Sequence, residues 1–171
     1  MKTAPNSLVA QAEHQDRMAA DWLLNYDTYR DAFVQEEKNL IEERAADQAG
    51  RRGTKIGDDT AYRGQALAAE QREIKRRWLA VVEETEKALP LHLRVFLGLR
   101  REYRTRKGPN GWVPAVQCRF AAIMARRTGN SEFETYRSAS RLADYWAEIV
   151  NFTVRKAIAE GLFSTRKGDY T

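Results

Sequence analysis

The residues best equipped for chemistry crowd into one stretch, Arg94 to Arg137. Between Arg94 and Arg127 stand nine cations (Arg94, Arg100, Arg101, Arg104, Arg106, Lys107, Arg119, Arg126 and Arg127) against one carboxylate, Glu102. The local charge of +8 exceeds the +5 of the whole chain, so the remaining residues sum to −3. A concentrated positive patch on a slightly acidic chain is the footprint of a polyanion partner, most often nucleic acid.

Bond-making chemistry finds no such support. His14 and His92 are far apart and match no zinc-protease spacing, and nucleophile signatures and dinucleotide glycine fingerprints are missing. Carboxylate pairs such as Glu36-Glu37 and Glu83-Glu84 are chain neighbours, which point apart along a helix. The glycines of AGRRGTKIGDD lack the Gly-Lys-Ser/Thr of a phosphate-cradling loop. The expectation is a binding protein and not an enzyme, with no cofactor and no metal.

The elements that must carry the patch are helical. Ala, Glu, Arg and Leu dominate, only four prolines occur, and 43% apolar residues suffice for one core. Helical periodicity runs from Leu8 to about Ala46 through Met18, Trp22, Tyr26, Tyr29, Phe33, Leu40 and Ile41, with Asn25 to Thr28 as a candidate interruption. After a Gly-rich basic linker, a second helix spans about Ala61 to Leu89 and stops at Pro90, with Leu67, Ile74, Trp78, Val81 and Ala88 on a near-heptad seam. That seam has two candidate partners, the first helix or another subunit. A third helix covers Leu91 to Tyr103, and Pro114 opens a fourth that ends near Arg126. Gly129 suits a left-handed helix end, Ser131 and Glu134 form a capping box, and apolar spacing continues from Phe133 to Leu162. The fifth segment reads as one long helix or as two with a bend near Asn151.

The expected architecture is therefore an all-α helical bundle with long N-terminal helices and a C-terminal helix-turn-helix. Residues 1–48 form an N-terminal helical arm, 49–59 a linker, 60–163 the DNA-binding domain and 164–171 a loose tail. Cys118, inside VQCRFAAIM, is expected as a small buried thiol. One cysteine, no signal-peptide core and no long apolar run imply a reducing, cytoplasmic setting without a membrane.

Two helices joined by a short Gly-containing turn fit a helix-turn-helix, whose second helix enters the major groove by its N-terminal turn. Around that turn Asn130, Ser131, Glu132, Glu134, Thr135, Arg137 and Ser138 would be presented to duplex DNA. Arg137 suits a guanine edge, and Thr135 or Asn130 a base or a phosphate. Arg104, Arg106, Lys107, Arg119, Arg126 and Arg127 suit phosphate clamps. If the fifth helix serves packing, Gln117 and Arg119 become the contact residues. Trp78, Trp112 and Trp146 fall on apolar stripes and read as core or interface. The apolar stripe of the last helix also suits a homodimer, which would double the DNA footprint.

GDDTAYRGQAL, EIKRRWLAVVEETEKALP, FLGLRREY and the Trp-led helix-turn-helix resemble phage transcriptional activators of the RinA and ArpU kind. The run WAEIVNFTVRKAIAEGLF resembles the C-terminal segment of such regulators in Firmicute phages. The resemblance implies a small α-helical protein with a sigma-factor-like helix-turn-helix that activates late genes through the RNA polymerase of a bacterial host. The spacing from Trp112 to Tyr136 is longer here than in compact members, which leaves the groove-facing helix open. Competing readings are a small terminase-like packaging subunit and an adaptor that docks on RNA polymerase.

Overall fold

A computed structural model describes residues 6–50, 59–106 and 111–163. Among these there is no strand, and seven helices follow one another. They are α1 (Asn6–Leu24), α2 (Tyr26–Gly50), α3 (Asp59–Ala88), α4 (Leu91–Glu102), α5 (Val113–Thr128), α6 (Glu132–Thr135) and α7 (Ala139–Ala159). The basic linker residues Arg51, Arg52 and Lys55, the loop residue Lys107 and the tail 164–171 lie outside the described residues.

Local chemistry explains most boundaries. The bend between α1 and α2 falls at Asn25, whose amide bonds back to the Asp21 carbonyl and carboxylate at 3.2 and 2.9 Å. Such local competition for backbone partners is what favours Asn at a helix break. Pro90, extended at φ −63° and ψ 160°, separates α3 from α4. Gly129 ends α5 at φ +76°, with its N–H on the Ala125 carbonyl; a Cβ would be strained in that left-handed conformation.

The core is built where five helices meet. Trp78 of α3, Phe96 of α4, Phe120 of α5 and Leu142 and Ile149 of α7 are each almost fully buried, with Leu23 of α1 beside them. Helix α1, expected within the N-terminal arm, thus packs into the same core as the later helices. Trp22 stacks on Trp78 with centroids 5.6 Å apart, and Phe163 meets Trp78 edge-on at 5.4 Å. Arg101 ties three helices together: Nε donates to the Leu23 carbonyl at 2.8 Å, and Nη1 pairs with Glu86 at 2.9 Å.

What remains outside the core is a hairpin formed by the end of α2 and the start of α3. Every residue from Ile41 to Gly50 is exposed, as are Tyr62 to Gln71. Lys75 and Arg76 pair with Glu36 and Glu37 across it. The expected stripes run off the core here. Ile41, Leu67 and Ile74 are 64%, 57% and 43% exposed, while Trp78 and Val81 farther along the same α3 seam are buried.

Two other expectations are corrected. No helix runs from Phe133 to Leu162, because the chain is extended from Tyr136 to Ser138 and α7 starts afresh at Ala139. The break resets the helical phase, so Leu142, Tyr145, Ile149 and Thr153 face the core, whereas Phe133 is 92% and Tyr136 48% exposed. Cys118 is exposed, not buried. Val116 and Phe120 define the buried face of α5, and a residue two positions from each lies on the far side of the helix.

Candidate nucleic-acid interface

The basic stretch is continuous in sequence but divided in space. Helices α4 and α5 run antiparallel: Leu91, Arg94 and Val95 share a cleft with Arg127, while Arg100 and Phe96 meet Trp112 ahead of α5. Arg100, Arg104 and Arg106 therefore lie at one end of α5, and Arg94, Arg126 and Arg127 at the other. At 1.5 Å per residue, positions 113 and 126 are separated by about 20 Å along the axis.

Pairing varies among the cations of the chain. Arg30, Lys75, Arg76 and Arg77 all meet carboxylates within 4.0 Å. Among the described residues, no such pair involves Arg94, Arg100, Arg104, Arg106, Arg119, Arg126 or Arg127. Arg104 Nη1 donates to the Arg101 carbonyl at 3.1 Å, and Arg106 lies over the Tyr103 ring at 5.7 Å. Arg119, Arg126 and Arg127 are exposed on α5.

The turn between α5 and α7 is held by a chain of local bonds. Thr128 Oγ1 donates to the Met124 carbonyl at 2.8 Å and accepts from Asn130 N at 3.4 Å. Ser131 Oγ accepts from Glu134 N at 3.2 Å, and the Glu134 carboxylate accepts from Ser131 N at 3.0 Å. The capping box is formed, but it starts one turn of helix only.

Several residues expected to face DNA serve the turn itself. Thr135 is 3% exposed and its Oγ1 donates to the Ala121 carbonyl at 2.8 Å, which seals it against α5. Arg137 donates from Nη1 to the Glu134 and Tyr136 carbonyls at 2.8 and 2.9 Å, and from Nε to Tyr145 Oη at 3.2 Å. Its guanidinium braces the extended link. Gln117 Nε2 donates to the Arg137 carbonyl at 3.1 Å and is half-buried. Asn130, Thr135 and Arg137 do come together around one cleft with His92, Arg141 and Tyr145. Asn130 and Ser131 remain exposed.

The N-terminus of α7 also faces solvent. Ser138 Oγ accepts from Arg141 N at 3.2 Å and lies 3.0 Å from Ser140 Oγ. Arg141 is 60% exposed on its side chain, near Asp144 at 4.0 Å. The sequence places Ser138 on a helix capped by Ser131, because Ser131-x-x-Glu134 is the stronger cap signal; Ser138 followed by an alanine-rich amphipathic run was the clue to a second cap.

Arg100 is a different case. It is 9% exposed, with its guanidinium carbon 3.9 Å from the Trp112 ring centroid and 5.1 Å from that of Trp146. Burial pulls its pKa down to about 10, which still leaves it protonated at neutral pH. Desolvated cation–π contacts contribute about 2 kcal/mol, so two rings offset part of the cost of burying the charge. Trp112 and Trp146 thus serve as the walls of an arginine slot, and Trp78 as core.

Among the described residues no cluster of His, Cys, Asp and Glu could hold a metal ion, and no helix is long and apolar enough to cross a membrane. No family model, curated protein or solved structure matches the chain.

Proposed function

We propose that the protein is a sequence-specific duplex-DNA-binding transcriptional regulator of phage or prophage genes, an activator of the kind its sequence resembles. The observation that carries this reading is a concentration of unpaired cations: Arg94, Arg100, Arg104, Arg106, Arg119, Arg126 and Arg127 gather on α4, α5 and the turn between them, with no carboxylate partner among the described residues. Unpaired cations keep their charge free for a polyanion, and counterion release on phosphate contact then drives binding.

The N-terminal turn of α7 is the groove-facing element, with Ser140 and Arg141 in place of Thr135 and Arg137. A major groove is about 12 Å wide. Basic groups about 20 Å apart along α5 can clamp phosphates on both sides of it. Asn130 and Ser131 reach the same edge from the turn, and Arg119 supports it from α5. Host RNA polymerase is the partner that an activator would recruit.

The test is a selection of bound fragments from the source genome, read with random duplex as competitor. One enriched site upstream of phage late genes is the expected result. Binding of all sequences alike, or none, refutes sequence-specific regulation.

The uncovered α3 seam at Leu67 and Ile74 favours self-association, which suits a dimeric regulator and equally a packaging ring. Light scattering separates them: the regulator reading expects a dimer, and a ring of many copies supports the terminase-like alternative.

A further inference from the structure

We infer that Arg100, held between Trp112 and Trp146, is a dedicated phosphodiester-binding site whose two terminal nitrogens grip one backbone phosphate of the duplex end-on. The inference deepens the duplex-DNA reading and rests on it.

The guanidinium has no hydrogen bond and no carboxylate partner among the described residues, although its neighbour Arg101 has both kinds of partner. A positive group that is nine-tenths buried and unpaired is costly to keep unless it gains a counter-charge in the working state. Both indole rings crowd the guanidinium, with centroids 3.9 and 5.1 Å from its central carbon. Nε is sealed from solvent without a partner, so a side-on grip through Nε is closed. Approach is left to the outer edge, where Nη1 and Nη2 match two oxygens of a phosphate.

The surroundings favour the same ligand. The slot joins the last turn of α4, the residue before α5 and the second turn of α7. Arg104 and Arg106 follow at the same end of α5, both exposed and, among the described residues, without a carboxylate within 4.0 Å. Trp146 is eight residues past the Ser138 cap, about 12 Å along α7. With the first turn of α7 in a groove about 12 Å wide, a group at that distance meets the groove wall, where the phosphates are. The rings also hold the arginine in place before binding, so little rotamer freedom is lost on contact.

The test compares salt dependence of duplex binding for the unmutated protein and Arg100→Gln, with thermal unfolding as a check that the variant folds. Loss of one phosphate contact should lower the slope of log affinity against log salt by about 0.9, equally on specific and random duplexes. An unchanged slope in a folded variant overturns the proposal and leaves the DNA reading intact. Because Arg100→Gln can fail to fold, a second measurement uses the unmutated chain. Indole N–H resonances of Trp112 and Trp146, assigned through Trp→Phe variants, are followed as inorganic phosphate is titrated at constant ionic strength. A saturable shift at these two rings and not at Trp22 or Trp78 is expected. That shift without duplex binding keeps the phosphate site and removes the DNA reading. No shift removes the site, whether or not the variant folds.

Discussion

Replacing Arg137 with alanine separates a base reader from a structural brace. In the structure one guanidinium donates to the Glu134 and Tyr136 carbonyls and to Tyr145 Oη, at 2.8, 2.9 and 3.2 Å. Each bond to a charged donor contributes about 1.5–3 kcal/mol when shielded. Arg137 is only half-buried, so solvent screening reduces the three together to about 2 kcal/mol. A protein of this size loses about 2–4 °C of melting temperature per kcal/mol, which gives a drop of about 4–8 °C. The assay pairs thermal unfolding by circular dichroism with duplex binding on a specific and a random sequence. The expected outcome is the thermal loss together with equal weakening on both duplexes, because a loosened link misplaces the whole start of α7. Arg137→Lys should rescue poorly, since an ammonium cannot reproduce the planar fork. An unchanged melting temperature with loss confined to the specific duplex would falsify the brace and restore the base-reading role.

Other perturbations probe the rest of the design. Thr135→Val keeps the shape but loses the bond to the Ala121 carbonyl, and chemical denaturation should register about 1 kcal/mol. Phe120→Ala, at a side chain 1% exposed, should cost about 3–5 kcal/mol in the same assay; a loss below 1 kcal/mol contradicts its place in the core. Cys118, exposed on α5, should react with a thiol reagent in the native protein at a rate denaturant hardly changes. Tyr26 is pushed up to about 12 by burial and by its bond to Glu83, and Tyr29 to about 12 by its bond to Asp21 and by burial. Because the folded state holds these protons more tightly, their contribution is complete below about pH 10 and is lost as pH rises toward 12. Stability followed against alkaline pH should fall less steeply in Tyr26→Phe than in the unmutated chain.

Features set by near neighbours in the chain were legible from sequence. Few prolines, strong helix formers and three-to-four apolar spacing imposed an all-helical chain, because helix formation depends on local propensity and periodicity. Pro90, Gly129 and the Ser131–Glu134 capping box marked their boundaries for the same reason: each acts through its own backbone or through bonds spanning three residues. Phase and partnership were not legible. Local bonds are only part of what fixes the extended step from Tyr136 to Ser138; beside the Arg137 brace it is held by Thr135 reaching the Ala121 carbonyl and Gln117 of α5 reaching the Arg137 carbonyl. That step turned α7 so that Leu142 and Tyr145 entered the core while Phe133 and Tyr136 stayed outside. The run of basic residues was visible, but its division between the two ends of α5 follows from the antiparallel packing of α4 on α5. The seclusion of Arg100 between Trp112 and Trp146, drawn from three different helical regions, is likewise a product of tertiary packing. Local chemistry determined where helices form and stop; long-range contacts decided which charges remain free to bind.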